Sequence, residues 1–290
     1  MINLKNCVGL NNIGNTCYMN SAIQILVNNN ALVNYFIDNN FENANLEIFK
    51  QFIIKYKSSE KSITPSDLKQ IVAEKHDMFG GFLQNDSHEF IILLLDILEE
   101  ALKEEKKENI IEKLFDYKLS STLKCKLKRC GNTSVNISMN RFLTLDIPDN
   151  NQDLSLDDCY REYKAREKLE STERWHCDKC NKKRIASKRL NIDEWPRHLL
   201  IQLKRFVVKP PRIMKNNKTI NIPIEWRHNY FLKGFVIHSG GPGGGHYISV
   251  AQVNDKWYLL NDSNKSEIDE AQVIKLASCA YILYYENLTE

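Results

Sequence analysis

The 290-residue sequence predicts an α+β fold, and two observations predict it. Helix start signals and helically spaced apolar residues crowd the first third, whereas short alternating runs fill the remainder. The two kinds of signal do not interleave, which excludes the alternating pattern of a parallel α/β sheet.

The elements follow in order. Asn15 or Thr16 can cap a first helix whose apolar positions include Tyr18, Ala22, Ile25, Leu26 and Leu32. Thr64-Pro65, followed by Leu68, Ile71 and Val72, gives a polar cap and then proline at a first helical turn. A third helix is predicted from Gln84 or Asp86 to about Lys106. Its Phe90–Leu98 segment is apolar almost all round, so we expect it to be the central buried helix. After Tyr117 come strand-like runs at 142–147, 199–203, 234–237, 247–253, 257–260 and 281–285. Pro210-Pro211 and the 240–245 glycine segment are read as loops.

Composition narrows the function. A net charge of +3 over this length gives no basis for a nucleic-acid binder. The longest apolar run is broken by Asp96, and the N-terminus has neither a signal-peptide core nor a glycine at position 2. We therefore expect no membrane association and a reducing cytoplasmic or nuclear setting. There the eight cysteines would serve as metal ligands, nucleophiles or core residues rather than disulfides.

Three segments carry chemistry. Residues 9–21, GLNNIGNTCYMNS, place Cys17 at a helix N-terminus, where backbone N–H groups and the helix dipole lower a thiol pKa. Asn12, in the preceding loop, can aim its amide at a developing oxyanion. Residues 234–250, GFVIHSGGPGGGHYISV, set His246 after a glycine-rich stretch beside a strand. A thiolate–imidazole pair needs a third group to hold the ring, and Asn261 and Asp262 stand at a later strand end. Asn261 can accept the Nδ1–H of the imidazole through its carbonyl. Residues 84–90, QNDSHEF, put Asp86 and Glu89 on one helix face, where the plain reading is dipole stabilisation. Cys177-x-x-Cys180 and the looser pair Cys125 and Cys130 suit a closed tetrahedral Zn²⁺ site. His176 is an alternative ligand should Cys125 not reach. Cys7, Cys159 and Cys279 read as core or near-core residues, and the basic runs 124–129 and 182–189 as a solvated face open to acidic partners.

These segments, in this order, closely resemble the ubiquitin-specific proteases, a family of papain-like deubiquitinating cysteine peptidases. The likeness runs from Gly9 to Glu286 and includes the strands 200–206 and 280–285. It implies a papain-like fold with a helical thumb (about 1–116), zinc-bearing β fingers (about 117–195) and a β palm (about 196–290). It implies Cys17 as nucleophile, His246 as base, Asn261 as its orienter with Asp262 auxiliary, and Asn12 at the oxyanion. His238 ranks below His246 because the family match places it at the start of the glycine loop. The resemblance also implies Gln84, Asp86, Glu89 and Tyr247 as contacts of ubiquitin's C-terminal tail, with His88 structural. Cys125, Cys130, Cys177 and Cys180 would be the ligands of a structural Zn²⁺, although Leu127 stands where the family's first ligand is expected. The expected partners are ubiquitin and ubiquitinated proteins, met by a monomer without a catalytic cofactor.

Overall fold

The computed structural model describes residues 6–149, 153–169 and 174–289; the reading at Ile2 lies outside them. A helical lobe comes first: α1 (Cys17–Val27), α2 (Asn30–Asp38), α3 (Ala44–Ser58), α4 (Ser66–Lys75), α5 (Ser87–Glu104) and α6 (Ile110–Phe115). Then follow β1 (Tyr117–Cys125), β2 (Thr133–Asn140), β3 (Phe142–Leu145), β4 (Leu154–Ser155) and α7 (Leu156–Lys164). Next are β5 (Glu167–Leu169), β6 (Trp175–Cys177), β7 (Lys182–Arg184), β8 (Ala186–Glu194) and β9 (His198–Leu203). The last third holds β10 (Phe206–Lys209), β11 (Arg212–Lys215), β12 (Ile220–Asn221), β13 (Glu225–Trp226), β14 (Tyr230–Gly241), β15 (Gly244–Val253), β16 (Lys256–Asn261), β17 (Asn264–Ile268), α8 (Glu270–Ala277) and β18 (Ala280–Asn287).

The main sheet runs β17-β16-β15-β14-β18-β9-β3, with β13 beside β14. Its pairs are antiparallel except β3 with β9. Period-2 alternation feeds two cores. Leu200, Val236, Ile282 and Tyr284 face the helical lobe. Leu199, Ile201, Phe235, Leu283 and Tyr285 face the other way, with buried residues of α7 and α8. A separate sheet, β2-β1-β8-β5, projects from this body, and the β6–β7 hairpin follows it in a two-stranded ribbon.

The fold class and each predicted strand are present, with three corrections. The fully enclosed helix is α1, every residue of which is buried; α5 turns Asp96 and Glu100 to solvent. Sequence composition hides this because α1 carries Asn20, Ser21 and Gln24. Their donor groups are satisfied locally: Asn20 donates to the Leu10 carbonyl, Gln24 to that of Val8, and Ser21 to that of Tyr18. Second, the 240–245 segment is the tip of the β14–β15 hairpin, with Gly240 opposite Gly245 and Gly241 opposite Gly244. Pro210-Pro211 is a loop as read from the sequence, the turn between β10 and β11. Third, helix starts differ in detail. Thr16 occupies the N-cap of α1 without a side-chain cap bond, and Pro65 is itself the N-cap position of α4.

Arg141 joins the helical lobe to the projecting sheet. It is 11% exposed and bonds Asp96 at 2.8 Å, Glu99 at 2.6 Å and Asp116 at 2.7 Å. Breaking one partner of a buried ionic network leaves the others unpaired, a cost of about 3–5 kcal/mol. Arg141→Met should therefore lower the melting temperature by roughly 6–10 °C, read by calorimetry.

Candidate active site

The site lies where α1 meets the β14–β15 hairpin and the β16–β17 turn. The loop before α1 is wound tightly by Asn12, whose Oδ1 accepts from the backbone N–H of Gly14 and of Thr16, both at 3.1 Å. Thr16 Oγ1 in turn accepts from Ile13 N at 2.9 Å. Gly14 has φ +101°, and a Cβ there would lie 2.5 Å from the Phe82 ring, so only glycine fits. This winding delivers Cys17 as the first residue of α1, 3% exposed.

Burial pushes the Cys17 thiol above its ordinary value. The backbone N–H of Tyr247 opposes this, the Asp262 carboxylate adds to it, and the N–H groups of Tyr18 and Cys17 oppose it again. The helix-start effect read from the sequence is thus present but outweighed by desolvation. Among the described residues no hydrogen bond joins Cys17 Sγ to the His246 ring.

His246 lies on β15, one residue beyond Gly245. A Cβ at Gly245 would come within 2.3 Å of His238 Nε2 and 2.1 Å of the Ser239 carbonyl. His246 Nε2 stands 2.7 Å from Asn261 Oδ1. This corrects the expected ring nitrogen: Asn261 engages Nε2 rather than Nδ1. His238, the lower-ranked candidate base, is buried between Phe206 and Tyr247, with ring centroids 5.3 and 4.6 Å away. Desolvation and Lys215 hold it down to about 4, so it stays neutral.

Asp262 has φ +48° at the β16–β17 turn. Its Oδ2 accepts from Asn12 Nδ2 at 2.9 Å, its Oδ1 from Asn20 Nδ2 at 2.8 Å, and its carbonyl from Leu10 N at 2.8 Å. It therefore clamps the Asn12 loop and α1 onto the strand that carries Asn261. Asn20, three residues after Cys17 on the same helix face, was not singled out; that spacing was the available signal. Misplacing a catalytic group by about 1 Å can cost about 10²-fold. Asp262→Ala should accordingly lower kcat by about that factor with little change in KM, and Asp262→Asn should recover part of the loss in steady-state assays.

A groove of about 530 Å³ lies beside this site, between the start of α5 and the β14–β15 hairpin. Gln84, Asp86, Glu89 and Tyr247 all line it. Gln84 bridges it, donating to the Gly245 carbonyl at 2.8 Å and accepting from Gly245 N at 2.7 Å. Asp86 caps α5 through Oδ1, while its Oδ2 accepts from the hydroxyls of Tyr247 at 3.2 Å and Tyr281 at 2.8 Å. Asp86 is thus internally committed, and Glu89 is the carboxylate on this wall left exposed. Tyr281 was missed as a site residue because its strand reads as ordinary core. His88 packs edge-on against Phe142 at 4.3 Å.

At the tip of the projecting sheet the Sγ atoms of Cys125, Cys130, Cys177 and Cys180 all lie within 4.8 Å of one another. Cys130 and Cys177 are 3.6 Å apart. Four zinc–sulfur bonds in a tetrahedron set sulfurs about 3.8 Å apart, so the donor set fits such an ion. The longer first knuckle closes because Cys125 N bonds the Asn132 carbonyl and Cys130 N that of Leu127. His176 faces solvent on the opposite side of β6 and is outside the cluster. All eight cysteines are free thiols; Cys7 and Cys159 are buried, but Cys279 is exposed at the turn after α8. No described helix is long and apolar enough to cross a membrane.

The chain resembles known proteins over nearly its whole length. It is 29% identical to ubiquitin carboxyl-terminal hydrolase Usp2 of Drosophila melanogaster, over 96% of this chain and 34% of that protein. It is 28% identical to ubiquitin carboxyl-terminal hydrolase 5 of Saccharomyces cerevisiae, over 99% of this chain and 46% of that one. It therefore spans less than half the length of these relatives. Among solved structures, a SAGA DUB module of Ubp8, Sgf11, Sus1 and Sgf73 bound to monoubiquitin matches with a TM-score of 0.86 at 25% identity. That match covers 100% of this chain and 71% of the other. A family model described as ubiquitin carboxyl-terminal hydrolase matches residues 8–285, through both the Cys17 loop and the His246 strand, and the chain belongs to that family.

Proposed function

We propose that this chain is a thiol-dependent deubiquitinase that hydrolyses the peptide or isopeptide bond after the C-terminal glycine of ubiquitin. The observation that carries the proposal is the bond of His246 to Asn261 beside the Cys17 helix start, next to a groove walled by Glu89.

In the reading we favour, His246 Nδ1 takes the proton of Cys17, and the thiolate attacks the glycine carbonyl carbon. Asn12 Nδ2 and the Cys17 N–H stabilise the oxyanion. The imidazolium then gives its proton to the departing amine as the carbon–nitrogen bond breaks, leaving a thioester. His246 next takes a proton from water, which attacks the thioester. Collapse returns the proton to Cys17 and releases the carboxylate. Asn261 orients the ring throughout without adding negative charge. Glu89 suits an arginine-bearing substrate tail.

The same reading divides the chain into thumb, fingers and palm, with a structural Zn²⁺ on the four fingertip thiolates. When bound, that ion would hold the two knuckles together and take no part in the reaction. Free thiols throughout suit a reducing compartment. The test is hydrolysis of ubiquitin bearing a C-terminal fluorogenic amide. Ubiquitin-like modifiers carried in parallel are expected to react more slowly, and faster reaction with one of them would transfer the assignment to that modifier.

A further inference from the structure

The projecting sheet carries a feature the reaction does not use. Residues 124–132 and 174–189 hold eleven Lys and Arg against one Asp, although the whole chain is only +3. The modest net charge conceals a strongly basic lobe on a body that is net acidic.

Strand register places two of these cations, Lys124 and Arg189, on one face of the sheet. Val135 lies opposite Thr122, which lies opposite Arg189; Ile137 lies opposite Ser120, then Asn191. Cross-strand partners share a face. That face therefore has an apolar row on β2, a hydroxyl row on β1 and Arg189 beyond, while Met139 lies opposite Lys118 and then Glu194. Val135, Ile137 and Met139 are 58%, 56% and 52% exposed. Beside them a cavity of about 370 Å³ is lined by Ser120, Thr122, Lys124, Arg166, Arg189 and Asn191, with no carboxylate in its lining. Asp193 accepts from two of these lining residues, Ser120 and Asn191. β2 is also a sheet edge of eight residues without a charge or a proline, the pattern that isolated edges avoid.

We propose that this face docks an acidic amphipathic helix of a partner protein. Dimensions favour a helix. Alternate residues on β2 recur about every 6.8 Å, close to the roughly 6 Å between every fourth residue of a helix. Apolar residues spaced by four would meet Val135, Ile137 and Met139 in turn. The row of Arg189 lies two strands away, about 10 Å, which is the diameter of a helix with its side chains. Carboxylates on the helix flank would then reach Arg166 and Arg189. A nucleic acid would match the cations but leave the aliphatic row uncovered.

The test uses the full chain and a fluorescein-labelled helical peptide with leucine at every fourth position and glutamates along one flank. A scrambled peptide of the same composition and a single-stranded oligonucleotide serve as comparators, read by fluorescence anisotropy. The striped peptide should bind at least about tenfold more tightly than the scrambled one. Arg166→Glu with Arg189→Glu, and separately Val135→Ser with Ile137→Ser, should each weaken it by about tenfold or more. Both double variants should hydrolyse the fluorogenic ubiquitin amide like the unaltered chain when peptide is absent. Three results would each overturn the proposal: no saturable peptide binding, oligonucleotide binding that is tighter and indifferent to Ile137→Ser, or slowed ubiquitin hydrolysis in both variants. The last would make the face part of the substrate's footprint.

Discussion

His246→Ala is expected to lower kcat/KM on the fluorogenic ubiquitin amide by about 10³–10⁴-fold. General acid–base catalysis contributes about 10²–10⁴, and in the proposed reaction one imidazole serves both the attack and the departure of the amine. The pH dependence should change with it. Burial raises the Cys17 thiol above its ordinary value, so without an internal base the thiolate is scarce at neutral pH. A raised thiol pKa means that the reactive form grows as pH rises. The residual rate of His246→Ala should therefore climb about tenfold per pH unit through neutrality and beyond pH 8, while the unaltered enzyme levels off. Asn261→Ala should cost less, about 10–10²-fold, because it frees the ring without removing it. A flat residual profile in His246→Ala would show that the thiolate does not limit the rate.

Metal removal is the second large effect. Binding of a structural zinc ion is worth about 10–16 kcal/mol in small domains and is folding energy. Cys177→Ser removes a buried ligand whose Sγ lies 3.6 Å from that of Cys130. It should reduce bound zinc from one per chain to near zero by elemental analysis. Amide exchange should then quicken in β6, β7 and the 126–132 loop, because the fingertip has few apolar contacts of its own. Protection in α1 and β14 should persist, since those elements lie in cores separate from the cysteine cluster. Full zinc content in Cys177→Ser would refute the ligand assignment, and loss of protection throughout would show that the fingertip is needed for the whole fold.

Much of this site is legible in the linear chain because its chemistry is concentrated in short runs. Cys17 at a helix start, His246 after glycines and the paired cysteines are each local patterns. So is the strand alternation that divides Leu200 from Leu199 and Ile201. What stayed hidden depends on residues far apart in sequence. The enclosure of α1 needs α5 and β15 against it, and its Asn20, Ser21 and Gln24 disguise a buried helix as a surface one. The role of Asp262 as a clamp requires Asn12, some 250 positions earlier, to meet it. The raised thiol is a balance of burial against N–H groups, including that of Tyr247 on another strand. The ring nitrogen facing Asn261 depends on how the β15–β16 pairing orients the imidazole. Charge was misleading for a related reason: a total of +3 averages a basic lobe with an acidic body.

The most direct measurement of the central claim is intact-mass analysis after incubation with ubiquitin carrying a C-terminal electrophile, in reducing buffer. The account predicts one adduct per chain, mapped by peptide sequencing to Cys17, absent in Cys17→Ala and slowed in His246→Ala. An adduct on Cys279, the exposed thiol, or no adduct on the unaltered chain, would contradict it.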